Sequence, residues 1–178
     1  GLEQIVDYVE KLHFDEEDIA YLRSRGIFSE GFLDYLRDFK FTGDIWAIPE
    51  GTPIFPMEPV ITVRAPAIQA QLLETYLLLE FNHQSLIATK ASRVCRAAQG
   101  RAVLEFGSRR AQGIMGAVTG ARAAFIGGCA GTACTVSDQV YGVPAAGTMA
   151  HSWVQMFDSE YDAFVSYCKT YPNNAVLL

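Results

Sequence analysis

The chain is short of several things, and each shortage removes a class of function. It has 14 basic residues against 20 acidic ones, a net charge of -6, so it lacks the basic surface that a nucleic-acid partner requires. It has no uninterrupted apolar run near the roughly 20 residues needed to span a bilayer; the most apolar stretch, 72–79, is broken by Glu74 and closed by Glu80. No secretory leader pattern is visible. The four cysteines, Cys95, Cys129, Cys134 and Cys168, show no CxxC spacing, which argues against a metal site and predicts buried, reduced thiols. What remains is half hydrophobic and 19% charged over 178 residues, the composition of a folded domain with a sizeable core.

Residues 1–40 predict short helices. Leu2, Ile5, Val6, Val9 and Leu12 share one stripe. Asp15 can cap a second helix that Gly26 can end, and Ser29 can open a third with Phe32, Leu33, Leu36 and Phe39 facing inward. From 41 to 64 four prolines and two glycines forbid a helix, leaving strand candidates at 44–48 and at the β-branched run 60–63. Pro66 then starts a long helix over 67–98 without an internal proline or glycine.

After Gly100 the pattern alternates. Strands are predicted at 102–106, 124–126, 143–146 and 175–178, and helices at 114–122, 133–141 and 159–170. Asp158 is a cap candidate, and Tyr161, Phe164, Val165 and Cys168 recur at helical spacing. Such alternation predicts a parallel sheet, open or closed into a barrel, and four barrel strands fall short of the eight or so of a closed one. The chain opens inside an amphipathic pattern and ends on an apolar run without a following loop, which is expected of a piece of a longer polypeptide.

In α/β folds the loops after the strands carry chemistry. Three loops stand out. Phe106-Gly107-Ser108-Arg109-Arg110 offers two guanidinium forks for carboxylate or phosphate. Gly127-Gly128-Cys129-Ala130-Gly131-Thr132 leads toward a helix, where backbone N–H groups can approach an anion. Gly147-Thr148-Met149-Ala150-His151-Ser152 presents a histidine beside hydroxyls, able to act as base, acid or nucleophile. All three are expected on one rim. Seven basic residues (Lys90, Arg93, Arg96, Arg101, Arg109, Arg110 and Arg122) face one acid, Glu105, between 90 and 122. That predicts a compact anionic ligand. His13 is expected to be exposed, and His83 to be structural within the long helix.

These segments resemble a known family. Glu105 to Gly113, EFGSRRAQG, looks like the EFGxRRAQG segment of nicotinate phosphoribosyltransferases; 127–132 resembles their GGxxGT turn, and 147–152 their GTxAHS loop. Residues 84–93 are similar to the family's long helix. The resemblance implies an α/β chain: part of an irregular β/α barrel of the type II phosphoribosyltransferase kind, preceded by an N-terminal helical and short-strand segment. The division it implies is an N-terminal part over 1–66, a connecting helix over 67–99 and the first part of the barrel over 100–178.

The reaction implied is phosphoribosyl transfer from 5-phosphoribosyl 1-diphosphate to nicotinate, coupled to ATP hydrolysis, in a cytoplasmic homodimer of NAD salvage. His151 matches the histidine that ATP phosphorylates. Phe106 matches the aromatic that stacks on the pyridine ring, Arg109 an arginine close to it, and Gly147 and Thr148 contacts at the nicotinate end. Arg110, Gly131, Thr132 and Ser152 complete the implied substrate contacts, with magnesium carried on substrate phosphates. Met115 and Ala130 stand where many members carry an acid. Nicotinamide or quinolinate transfer, and a member without catalysis, stay open as alternatives.

Overall fold

Two of the first three helices, the second and the third, begin at side-chain caps. The computed structural model describes residues 1–177. Helix α1 runs Leu2–Lys11 and buries Ile5. Helix α2, Glu16–Ser24, starts at a capping box: the Asp15 carboxylate accepts from the Asp18 amide at 2.9 Å while Asp18 accepts from the Asp15 amide. Gly26 follows it at φ +68°, the left-handed turn that lets the chain leave the helix. Helix α3, Glu30–Arg37, is capped by Ser29 and buries Leu33 and Leu36. Strands β1 (Asp44–Ala47) and β2 (Ile61–Arg64) pair antiparallel, with Ile45 opposite Val63. Helix α4 then runs 31 residues, Ala67–Ala97.

α4 organises three separate apolar clusters along its length. Leu73 and Leu77 pack with Ile5 of α1 and with Ile45, Ile61 and Val63 of the hairpin. Leu72 meets the Ile19, Leu33 and Leu36 core of α2 and α3. Farther along, Ala91, Ile87 and Cys95 meet Ala124 and Cys129. The last contact is close because its residues are small. A Cβ on Gly120 would stand 3.0 Å from Ile87, and one on Gly127 would stand 2.5 Å from the Ala88 carbonyl oxygen. His83 fits this seam as a structural residue: its Nε2 lies 3.1 Å from the Gly116 carbonyl oxygen, which accepts the bond.

The second half differs from its predicted pattern in specific ways. Helix α5 runs Ile114–Ile126, so 124–126 is the end of a helix and no strand. The small side chains Ala121, Ala123 and Ala124 are buried there, and the Gly127 amide closes the last turn on the Ala123 carbonyl at 2.9 Å. Strand β3 shrinks to Leu104–Glu105. It pairs in parallel with β4, Gly131–Thr132, which lies inside the expected glycine-rich loop. The segment 143–146 contributes one parallel bridge, Ala145 to Thr132. Parallel strands are stabilised by neighbours on both sides; among the described residues, β3 and the Ala145 segment each have one.

Helix α6 is Thr135–Tyr141, α7 is His151–Val154 and α8 is Glu160–Thr170. The cap of α8 is Ser159, not Asp158, and its buried residue is Ala163. The α8 core face is turned from the expected stripe, with Tyr161 and Cys168 exposed, because Tyr167 packs on Trp153 of α7, ring centroids 5.9 Å apart. Cys168 therefore departs from the expectation of buried thiols. Residues 175–177 form no strand, and Leu178 of that expected strand lies outside the described residues.

Candidate active site

Three parallel chain segments set the geometry. The Ala130 amide donates to the Val103 carbonyl at 2.8 Å and the Ala133 amide to the Glu105 carbonyl at 2.9 Å. On the other side of β4, the Thr132 amide donates to the Pro144 carbonyl at 2.9 Å, and the Ala146 amide to the Thr132 carbonyl at 2.8 Å. Since the segments run the same way, the chain leaves each at the same end. Residues 106–110 leave β3 there, and 147–151 leave the Ala145 segment there.

Two of the three expected loops therefore share a rim. The third does not. Residues 127–130 precede β4 instead of following it, so the glycine-rich turn enters the sheet at the opposite end. Its glycines have packing causes: Gly127 meets the α4 backbone, and a Cβ on Gly131 would lie 2.4 Å from the Pro144 carbonyl oxygen. Gly131 and Thr132, expected as substrate contacts, are buried, Thr132 completely (0% exposed). They form the strand that holds the loops and offer a ligand no surface.

Phe106 follows β3 and is 44% exposed. Ser108–Arg110 is a turn of 3₁₀ helix closed by the Arg110 amide on the Gly107 carbonyl at 2.8 Å. Arg109 and Arg110 are exposed, and neither takes part in an ion pair among the described residues. Arg122 behaves otherwise. Its guanidinium binds Glu3 at 2.5 Å and Glu50 at 2.8 Å, with its side chain 13% exposed, and it lies 5.4 Å from the Tyr141 ring centroid. The cationic stretch read between 90 and 122 is thus no single patch. Arg122 is neutralised, and Arg93 and Arg96 line a cavity of about 480 Å³ that includes Phe81, Gln84 and Ile126 but no residue of the rim.

Gly147, Thr148, His151 and Ser152 are exposed, while Met149 is buried and pins the loop. His151 opens α7. Two residues on, Trp153 packs edge-on against Phe157 at 4.9 Å, so an aromatic cluster fixes the helix that presents the imidazole. Met115 is 65% exposed at the start of α5, and Ala130 is exposed before β4.

Reasoning from sequence gave Glu105 no role, although it stands as the one acid in a basic stretch and opens the EFGSRRAQG segment. Its carboxylate accepts from the Thr132 hydroxyl at 2.7 Å and from the Gly107 amide. A Glu two residues before a Gly, at a strand end, was the available signal. Among the described residues no group of three or more His, Cys, Asp or Glu is placed to hold a metal ion, and no helix is long and apolar enough to cross a membrane.

The comparisons with known proteins agree in direction. A family model described as the nicotinate phosphoribosyltransferase (NAPRTase) N-terminal domain matches residues 1–82. The chain is 48% identical over its whole length to "Nicotinate phosphoribosyltransferase pncB2" of Mycobacterium tuberculosis, of which it spans 38%. It is 40% identical, again over its whole length, to the nicotinate phosphoribosyltransferase of Bacillus subtilis (strain 168), spanning 36% of that protein. The crystal structure of human nicotinic acid phosphoribosyltransferase superimposes with a TM-score of 0.81 at 35% identity, covering 88% of this chain and 32% of that one. The chain thus spans under two fifths of the length of these relatives.

Proposed function

The chain belongs to the nicotinate phosphoribosyltransferase family, and from that premise we propose that its protein transfers the phosphoribosyl group of 5-phosphoribosyl 1-diphosphate to nicotinate, with ATP hydrolysis coupled through His151. The observation that carries the reading is the shared rim: two parallel segments, with β4 between them, send Phe106, Arg109 and Arg110, and Thr148 and His151, out at the same end of the sheet, and the two arginines lack carboxylate partners among the described residues. In this reading Phe106 covers the face of the pyridine ring. Arg109 offers its fork to the carboxylate, and Arg110 and Ser152 meet phosphate oxygens. Gly147 and Thr148 border the base.

His151 acts as a nucleophile in the same reading. The neutral imidazole attacks the γ-phosphorus of ATP; an N–P bond forms as the bond to the ADP oxygen breaks. The added charge and acceptor oxygens can then draw in the arginines that the diphosphate donor also needs. Magnesium fits as a companion of the substrates, since it binds phosphates and keeps its waters more readily than it enters an all-protein cage. We further propose that the β3, β4 and Ala145 segments belong to a β/α barrel, with 1–66 and 67–99 as the N-terminal part and connecting helix. The working form is proposed to be a cytoplasmic homodimer. The 178 residues alone are expected to be inactive, because they span so little of the relatives' length.

A polypeptide of the relatives' length that contains this chain provides the test. Incubation with ATP labelled on the γ-phosphate should place an acid-labile phosphate on His151, and ATP should stimulate formation of nicotinate mononucleotide. His151→Ala should abolish the label and the stimulation while base binding persists. Equal ATP stimulation in the variant refutes the histidine's role.

A further inference from the structure

We infer that Glu105 is a positioning residue, tying the loop that carries Phe106 and Arg109 to β4, the strand that holds the Ala145 segment from which the His151 loop leaves. The inference rests on the phosphoribosyl-transfer reading above. The backbone alone provides little at this junction: β3 and β4 are two residues each, and two flanking hydrogen bonds join them. The Glu105 carboxylate adds one bond between the strands and one within the exit from β3. One oxygen accepts from the Gly107 amide, the first N–H after Phe106. The other accepts from the Thr132 hydroxyl at 2.7 Å.

Thr132 relays the tie. Its hydroxyl oxygen also accepts from the Cys134 amide at 2.9 Å, fixing the exit from β4. Its own amide and carbonyl bond Pro144 and Ala146, the residues that lead into the His151 loop. One carboxylate therefore couples all three exits.

The residue types are those the tie requires. A carboxylate accepts at both oxygens, whereas an amide would turn a donor toward either the Gly107 N–H or the hydroxyl. A Cβ at position 107 would stand 2.8 Å from the Glu105 carboxylate oxygen, so a larger residue there would push the carboxylate off this pair of bonds. Thr132 must bring a hydroxyl into a site that is fully buried, where an unpaired polar group is costly.

The experiment uses Glu105→Ala, Glu105→Gln, Thr132→Val and the double variant Glu105→Ala/Thr132→Val in a polypeptide of the relatives' length. Two readouts are followed: amide hydrogen exchange at Gly107 and Cys134, and the separate KM and kcat for nicotinate. Glu105→Ala should speed Gly107 exchange and raise KM for nicotinate, each about tenfold, with kcat much less affected. Glu105→Gln should fall between, since the glutamine keeps one acceptor and can donate to the Thr132 oxygen. The KM losses of Glu105→Ala and Thr132→Val should overlap in the double variant. Unchanged Gly107 exchange, an unchanged KM, or fully additive losses would each overturn the inference. Absence of nicotinate turnover in the unsubstituted protein overturns the functional reading instead, and the exchange arm still decides the tie.

Discussion

Gly131→Ala puts the closeness of the rim segments to a steric test. Gly131 has no positive φ, so alanine meets no backbone strain there, and only space is at issue. The added Cβ would stand 2.4 Å from the Pro144 carbonyl oxygen and 3.4 Å from Leu104. An ordinary carbon–oxygen contact is about 3.3 Å or more, so backbone must move by roughly 1 Å. The moving carbonyl is the one that accepts from the Thr132 amide. Overpacking of this kind costs about 1–3 kcal/mol, which for a chain of this size lowers Tm by roughly 4–8 °C at 2 kcal/mol.

Gly142→Ala is the matched control. A Cβ there would meet nothing within 4 Å, but the residue sits at φ +66°, so its cost of about 1 kcal/mol comes from the left-handed backbone alone. Thermal unfolding of this chain followed by circular dichroism, with kcat/KM for nicotinate measured in a polypeptide of the relatives' length, separates the two. Both variants should lose stability, but only Gly131→Ala should also lose activity, because it parts the segments that carry Phe106 and His151. If Gly131→Ala melts within about 1 °C of the unsubstituted protein, the packing cause assigned to this glycine is wrong.

Two further outcomes are expected. Burial raises the Glu50 carboxyl, but the hydrogen bonds from Arg122 outweigh it and hold it below the ordinary 4.5. The stabilisation is therefore complete above 4.5 and lost as the pH falls below it. Arg122→Met should cost about 2 kcal/mol in urea unfolding near neutral pH, and the gap should narrow in acid; a gap independent of pH contradicts this. Burial, and then the neighbouring Cys95, push the Cys129 thiol up to about 11, while Cys168 is exposed. An alkylating reagent near neutral pH should modify Cys168 at least about tenfold faster than Cys129, as read by peptide mass spectrometry; equal rates would refute the assignment.

The first half of the fold was legible because local signals decide it. Asp15, Gly26 and Ser29 sit where caps and turns must be, the prolines of 49–59 leave only a hairpin, and a long stretch without proline or glycine becomes α4. The second half was less legible because its strands are two residues long. A Gly-Thr pair has no periodicity, so β4 read as part of a loop. Phe125 and Ile126 read as a strand, yet small residues packed against α4 carry the helix through them. For the site, the Phe106 to Arg110 and Gly147 to Ser152 loops were visible as chemistry after strands. Their shared edge was correctly expected, but the glycine-rich turn was put at the wrong end, because position along a strand depends on a partner far away in sequence. The ion pairs of Arg122 were illegible for the same reason, its partners Glu3 and Glu50 being remote in sequence. Glu105 was overlooked because nothing local ties it to Thr132.

The substrate reading is tested most directly by offering nicotinate and nicotinamide together, at equal concentration with 5-phosphoribosyl 1-diphosphate and ATP, to a polypeptide of the relatives' length that contains this chain. The expected product is nicotinate mononucleotide in large excess, with the preference eroded by Arg109→Ala. An excess of nicotinamide mononucleotide, or formation of neither product, would contradict it.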